Sequence, residues 1–355
     1  MILKIIKENS PHIHRSSSVK RMMLDVLIAL IPTVIFAYVQ FGLKAFKIFA
    51  ISILTMLLSE LIFVFIRSQG PYNGKTTFKE KWQNFKNTFT INNILAPLIS
   101  AIIYSLLLPA DVSWYVILVG ALFGIVVGKL LFGGLGGNIF NPAAVGRVFV
   151  MICFGTKLGY FATPLIKGSI DVFASATPLV ANIFTWEAIK NLLVGTVSGT
   201  MGEVCKITIL VGGLYLIIRK SADPRPMLSM ILTFMVITLC AGFKVNPANP
   251  LIYMLYQTLS GGLLFGAIFM VTDPITSPTT RPGRITFGIL IGAVSALIRL
   301  LGAYPEGVAF AILIVNMFVP VIDYYKWSTN KYRLPHFILW TVVIVGVSLV
   351  VFFAI

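Results

Sequence analysis

Charge is the scarcest commodity in this chain. Only 12 of its 355 residues are acidic, and Lys, Arg, Asp and Glu together make up 11%. Soluble domains carry roughly 25% charged residues, so a water-soluble globular protein of this length is excluded. Cysteine is equally sparse. Cys153, Cys205 and Cys240 show no CxxC spacing, and each lies in or beside an apolar run. That excludes a disulfide framework or a four-cysteine cluster and predicts small buried hydrophobes. Of the three histidines, His12 and His14 sit on a short polar tail, a poor setting for a metal pair.

What the chain does have is hydrophobic residues, 57% of the total. They fall into eleven runs: 22–41, 45–66, 91–108, 113–132, 141–155, 203–218, 227–243, 251–271, 285–302, 306–322 and 335–355. A membrane-crossing helix needs about 20 mostly apolar residues. The expected fold is therefore an all-α integral membrane protein of ten or eleven spans. The first run begins only after Arg21 and is too long for a cleaved signal. It reads as a retained helix.

A net charge of +16 would point to nucleic acid in a soluble protein. Here the cations lie between the apolar runs, so no nucleic-acid partner is expected. If the N-terminus is cytoplasmic and every run crosses, nineteen lysines and arginines fall inside and seven outside, with Arg147 and Arg299 within runs. That bias is the one cytoplasmic loops show. The inner set includes Lys129, and the outer set includes Lys206. The segment 68–90, with its lysines, reads as a solvated cytoplasmic loop that touches anionic lipid or a partner.

The organisation expected is a cytoplasmic tail (1–21), a first bundle (22–155), an extracytoplasmic loop (156–202), a second bundle (203–325), and a linker with an extra span (326–355). The long loop keeps Phe161, Phe173, Phe184 and Trp186 and is expected to fold back on the membrane face. Internal repetition is expected as well. Arg21-Met-Met-Leu-Asp resembles Arg225-Pro-Met-Leu-Ser, and Gly120-Ala-Leu-Phe-Gly124 resembles Gly262-Leu-Leu-Phe-Gly266. The latter two precede Asn141-Pro142 and Asp273-Pro274. Inverted repeats with broken helices are common in transporter folds.

Charges within apolar runs are costly and usually face protein or water. Glu60, Asp273 and Asp323 are the candidates for a cation path, since carboxylate oxygens suit hard cations. Each also has a plainer reading: Asp273 as a cap before proline, Asp323 in the headgroup zone. Arg299 is placed to pair with Glu306. The glycine-dense stretch Phe132-Gly-Gly-Leu-Gly-Gly-Asn-Ile-Phe-Asn-Pro-Ala-Ala-Val-Gly-Arg147 could approach a phosphate, although tight helix packing explains it more simply. It is not a Walker loop, and the chain shows no nicotinamide or iron–sulfur pattern.

Several of these phrases together resemble the RnfD/NqrB family, the RnfD branch more closely. They are Ser10-Pro-His with Arg21-Met-Met-Leu-Asp-Val-Leu-Ile-Ala-Leu-Ile-Pro32, Phe132-Gly-Gly-Leu-Gly-Gly-Asn…Phe140-Asn-Pro-Ala, and Thr272-Asp-Pro-Ile-Thr-Ser-Pro278. Ile298-Arg-Leu, Tyr304-Pro-Glu-Gly-Val-Ala-Phe-Ala-Ile-Leu313 and Pro320-Val-Ile-Asp-Tyr-Tyr325 complete the set. The resemblance implies a membrane component of an Rnf complex in a prokaryotic plasma membrane, which moves electrons between reduced ferredoxin and NAD and couples this to Na⁺ or H⁺ export. It implies partner subunits A, B, C, E and G. It also implies covalent FMN, joined through its phosphate to a threonine by a flavin transferase that uses FAD, and permits a second, non-covalent flavin such as riboflavin. The threonine carried over is Thr177 in Asp171-Val-Phe-Ala-Ser-Ala-Thr177-Pro-Leu, with Asp171 and Ser175 in the attachment motif. Val172, Ala174 and Ser175 depart from the family's D-G-x-S/T-G-A-T pattern. The family's membrane acids map onto Glu60, Asp273 and Asp323. The rival readings are the quinone-reductase branch of the family, a solute transporter or channel without redox role, and a structural component without flavin.

Overall fold

A computed structural model describes residues 18–69, 78–158, 184–195, 199–302, 307–324 and 326–355. Asp171, Ser175, Thr177, Glu306 and the His12–His14 pair lie outside the described residues.

All eleven apolar runs are helical, because a backbone in hydrocarbon has to satisfy its own hydrogen bonds. The first two form a hairpin. Helix α1 (Val19–Phe41) is capped by the Ser18 side chain, which accepts from Arg21 N at 3.2 Å. It ends at Gly42, whose φ of 56° turns the chain straight into α2 (Leu43–Ser68). A short amphipathic helix outside the apolar runs, α3 (Phe78–Thr88), follows. Next come α4 (Asn92–Leu106), α5 (Trp114–Gly128) and α6 (Pro142–Leu158). The Asn141 side chain starts α6 by accepting from Ala143 N at 3.0 Å and Ala144 N at 3.3 Å, and Pro142 suits the first turn.

A second amphipathic helix, α7 (Trp186–Val194), precedes the other half. Phe184, just before it, packs its ring 5.1 Å from Tyr253 and 5.6 Å from Tyr256, so this end of the long segment does fold back onto the bundle. The second half is α8 (Lys206–Ile218), α9 (Pro224–Val245), α10 (Pro250–Leu259), the single turn α11 (Leu263–Phe265), α12 (Arg281–Leu301) and α13 (Gly307–Ile322). A π-helical turn, Gly266–Met270, continues α11. The extra span α14 (Leu334–Ala354) packs on α9 and α12 and is otherwise exposed. Trp340 Nε1 ties it to Thr286 Oγ1 at 2.8 Å.

Among the described residues, six helices are long and apolar enough to cross a membrane, eight if each of two bent pairs is one span, and α6, α8 and α13 are shorter apolar helices. The run 251–271 is not one straight helix: α10 and the α11 segment are bent by 60° at Ser260–Gly262. The expected boundary of the long loop at residue 202 also shifts. Thr200, Met201 and Gly202 are buried, and Met201 N and Gly202 N bond to Leu108 O (3.2 Å) and Leu106 O (2.7 Å) at the end of α4. The cysteines follow their expected burial only in part: Cys205 is buried, Cys240 intermediate and Cys153 exposed.

Packing repeats between the halves. Helix α2 lies on α4 and α5, and α5 on α6; likewise α9 lies on α10 and α12, and α12 on α13. The halves meet where α1 packs on α8 and α6 on α13.

Glycine sets several close helix crossings, that of α5 and α6 among them. A Cβ on Gly124 would lie 2.7 Å from Pro142 O and 3.0 Å from Gly146 Cα, so α5 and α6 touch backbone to backbone. Phe123 and Phe149 stack beside them with centroids 3.9 Å apart. We expect Gly124→Leu to destabilise the chain by about 3 kcal/mol, the upper range for overpacking. Gly346→Leu on α14, where nothing lies within 4 Å, should leave the thermal midpoint in detergent unchanged. Equal midpoints for the two variants would contradict the crossing.

Candidate functional site

The two halves enclose a cavity of about 550 Å³. Helix α1 contributes Met22 and Val26, α4 contributes Asn92, Ser100 and Ile103, and the glycine-dense stretch contributes Leu135, Gly136, Asn138 and Asn141. The second half closes it with Ser221, Ile268, Phe269, Thr272 and Asp273. Pockets of this size, mostly apolar with a few convergent polar groups, are the usual form of small-molecule sites. The amide oxygens of Asn92 and Asn138 are buried in this wall with no hydrogen-bond partner among the described residues. Asn138 Nδ2 donates to Phe140 O at 3.4 Å.

Lys129 also lines the cavity. Its Nζ donates to Glu60 Oε2 at 2.8 Å, and both side chains are buried, at 3% and 1% exposure. Glu60 thus sits inside the protein, as its place in an apolar run required. Lys129 corrects the topology count: it is not a loop cation but the counter-ion of Glu60 at the end of α5. Lys206, counted on the outer side, is buried as well. One cation thus leaves each side of the count.

Asp273 is half-buried on the cavity wall and stands at the end of the π turn. It accepts from Ile275 N at 3.2 Å and Thr276 Oγ1 at 3.1 Å, so it organises a turn and not the start of a helix. Such π turns recur at functional sites. Asp323 lies away from the cavity. It accepts from Thr279 N (2.8 Å) and Thr279 Oγ1 (3.1 Å) and so anchors the loop that carries Asp273 to the end of α13.

A further buried carboxylate was not singled out from sequence. Asp25 on α1 accepts from Tyr215 Oη and Arg219 Nε, each at 3.3 Å, and from Ser221 Oγ. It joins α1 to the end of α8 beside the cavity. Its position inside the first apolar run, 22–41, was the available signal. Outside the spans, Asp223 caps α9 and pairs with Arg225 at 3.0 Å and with Arg284. Burial works against its ionisation, but the Arg225 backbone N–H and the two guanidinium groups outweigh it and hold the carboxyl below the usual range.

Arg299 is buried, and its expected partner Glu306 lies outside the described residues. Arg299 Nη1 donates to Gln257 O at 2.6 Å and Ser260 O at 3.2 Å, and its guanidinium lies 5.0 Å over the Phe234 ring.

These features define an all-α integral membrane protein whose two packed halves hold a ligand-sized cavity and a buried ion pair on its wall. Residues 6–331 match the NQR2, RnfD, RnfE family, and the chain belongs to that family. The match ends just before α14. The chain is 31% identical to the D component of the proton-translocating ferredoxin:NAD(+) oxidoreductase complex of Clostridium ljungdahlii, over 91% of this chain and 96% of the relative. It is 30% identical to the D component of the Na(+)-translocating ferredoxin:NAD(+) oxidoreductase complex of Acetobacterium woodii, over 90% and 93%. The B component of the Na(+)-translocating NADH-quinone reductase of Ectopseudomonas mendocina is 29% identical, over 92% and 89%.

Removing one member of a buried ion pair leaves an uncompensated charge and costs roughly 3–5 kcal/mol. We expect Lys129→Met to show that loss in thermal melts and Lys129→Met/Glu60→Gln to recover most of it. A double variant no more stable than Lys129→Met would mean that the two groups are not coupled.

Proposed function

We propose that this chain is the RnfD component of an Rnf-type ferredoxin:NAD oxidoreductase complex in a prokaryotic plasma membrane, with its N-terminus cytoplasmic. It carries electrons through FMN bound covalently at Thr177 on the outer side. It takes part in moving a monovalent cation, with Glu60 and Asp273 as the acidic groups in the membrane and Asp323 acting through the loop it holds. Subunits A, B, C, E and G and a flavin transferase are the partners this reading requires.

The observation that carries the reading is the cavity with Lys129, paired to Glu60, in its wall. Its chemistry fits a second, non-covalent flavin. Ile103, Ile268 and Phe269 offer apolar surface to a flat ring system, and the unpartnered oxygens of Asn92 and Asn138 call for donors. A flavin has such donors in its ring N–H and ribityl hydroxyls. A bound flavin supplies one- and two-electron chemistry. The chain's own residues do the rest: the asparagines orient the ring, the apolar walls exclude water, and Lys129 places a positive charge beside it.

At Thr177 the side-chain hydroxyl is the nucleophile toward a phosphoryl group, and Pro178 biases its backbone toward the extended form. Asp171 and Ser175 complete the motif that the transferase reads.

The test is co-expression with a flavin transferase, denaturing electrophoresis and ultraviolet illumination. We expect a fluorescent wild-type band and a dark Thr177→Ala band. A dark wild-type band beside a glowing known substrate of the same transferase would reject covalent attachment. The cavity is checked separately: Asn138→Leu should lower the flavin released by acid while leaving the covalent band in place.

A further inference from the structure

A second cavity, of about 290 Å³, lies between α12, α13 and α14. Its α14 wall is His336, Leu339, Trp340 and Val343. That spacing of i, i+3, i+4 and i+7 is one face of a helix, and it covers about 10 Å of helix length. Trp340 is fixed there by its bond to Thr286. Trp327, in the linker, is fixed by donating its Nε1 proton to Val321 O at 2.9 Å.

The cavity is polar at one end and apolar at the other. Thr280 and Thr329 stand where α12 and α14 begin and α13 stops. Leu290, Phe318 and Val343 lie a turn or more deeper. Tryptophan is typical of the level where a membrane meets water, and Trp327 lies at the polar end. Four exposed cations adjoin that end: Arg281 follows Thr280, Lys326 precedes Trp327, and Lys331 and Arg333 lie between Thr329 and His336. The Arg281 backbone N–H donates to Asn330 Oδ1 at 3.2 Å, which brings the start of α12 against the linker that carries the others. None of the four forms an ion pair among the described residues. Asp323, held by Thr279, offsets one of them at most, and Asp223 is already paired with Arg225 and Arg284. The polar end is therefore positive.

An apolar slot with a cationic mouth at the membrane surface matches an amphiphile that carries a negative head. A helix with its side chains is about 10–12 Å across, too wide for a slot between helices that already pack on one another. A single acyl chain is thin enough. Basic residues at the end of membrane helices draw anionic lipid to them.

We propose that α14, which lies beyond the family match, completes a site for one anionic phospholipid, with an acyl chain in the cavity and the phosphate among Arg281, Lys326, Lys331 and Arg333. The site rests on the membrane fold alone and does not depend on the flavin reading.

The test uses the full chain purified in detergent and titrated with phosphatidylglycerol, or with phosphatidylcholine of the same acyl chains, with the thermal midpoint as readout. The wild type should gain a saturable rise of several degrees with phosphatidylglycerol, as binding to the folded state requires, and a smaller one with phosphatidylcholine. Changing the four cations together, Arg281→Gln, Lys326→Gln, Lys331→Gln and Arg333→Gln, should make the two lipids equivalent. Lys79→Gln/Lys81→Gln/Lys86→Gln, on α3, should keep the preference. Val343→Trp, which fills the slot, should lose the rise, whereas Val342→Trp on the exposed face of α14 should keep it. Glycerol 3-phosphate, a head without chains, should give no rise. Equal responses of the wild type to the two lipids overturn the proposal. So does a preference that survives the fourfold change, a preference lost equally in the α3 variant, a full rise in Val343→Trp, or a rise with glycerol 3-phosphate that matches phosphatidylglycerol. If Val343→Trp does not fold, the two charge variants decide the matter between them.

Discussion

Everything in this structure depends on one constraint: inside the hydrocarbon layer, a polar group has to find its partner within the protein. Continuous helices meet it automatically. The break at Ser260–Gly262 does not, and it persists because Arg299 and Lys206 take over the freed carbonyls. The same rule governs side chains. Asp25 is held by Tyr215, Arg219 and Ser221, and Glu60 by Lys129. Each buried charge therefore marks a point where two distant parts of the chain are fixed to one another.

These fixed points fall into the repeated packing order in an orderly way. Lys129 ends α5, and Arg299 sits in the last turn of α12, the helix that occupies the matching place in the second half. Each half thus ends one central helix with a buried cation. Their partners differ. Lys129 meets a carboxylate on α2, whereas Arg299 meets backbone carbonyls of a helix that has been cut. The first arrangement leaves a carboxylate beside a cavity; the second closes a gap.

The helices were legible in the sequence because a long apolar run in a membrane has one conformational solution. The helices α3 and α7 were not, since their amphipathic pattern is short and lies in segments that read as loops. The break inside 251–271 was hidden for a related reason: Ser260, Gly261 and Gly262 interrupt the helix without interrupting the hydrophobicity. The acids Glu60 and Asp273 could be picked out as costly charges, but their partners could not. Lys129 and Lys206 stand at the ends of apolar runs, where sequence position alone assigns a cation to water. Only the fold brings Lys129 to Glu60, 69 residues away in the chain.

Lys129 belongs to two environments at once. Through Glu60 it is bound into the first half, where α2 and α5 pack directly. Its side chain also lines a cavity whose opposite wall, from Leu216 to Ile275, belongs to the second half. A change of charge within the cavity acts on Lys129 at close range in a medium of low dielectric, where such forces are strong. The same ammonium neutralises Glu60, so whatever draws it toward the cavity leaves that carboxylate short of a cation. Two separately placed groups could not be coupled this way. One lysine thus joins a ligand-sized space to a buried acid.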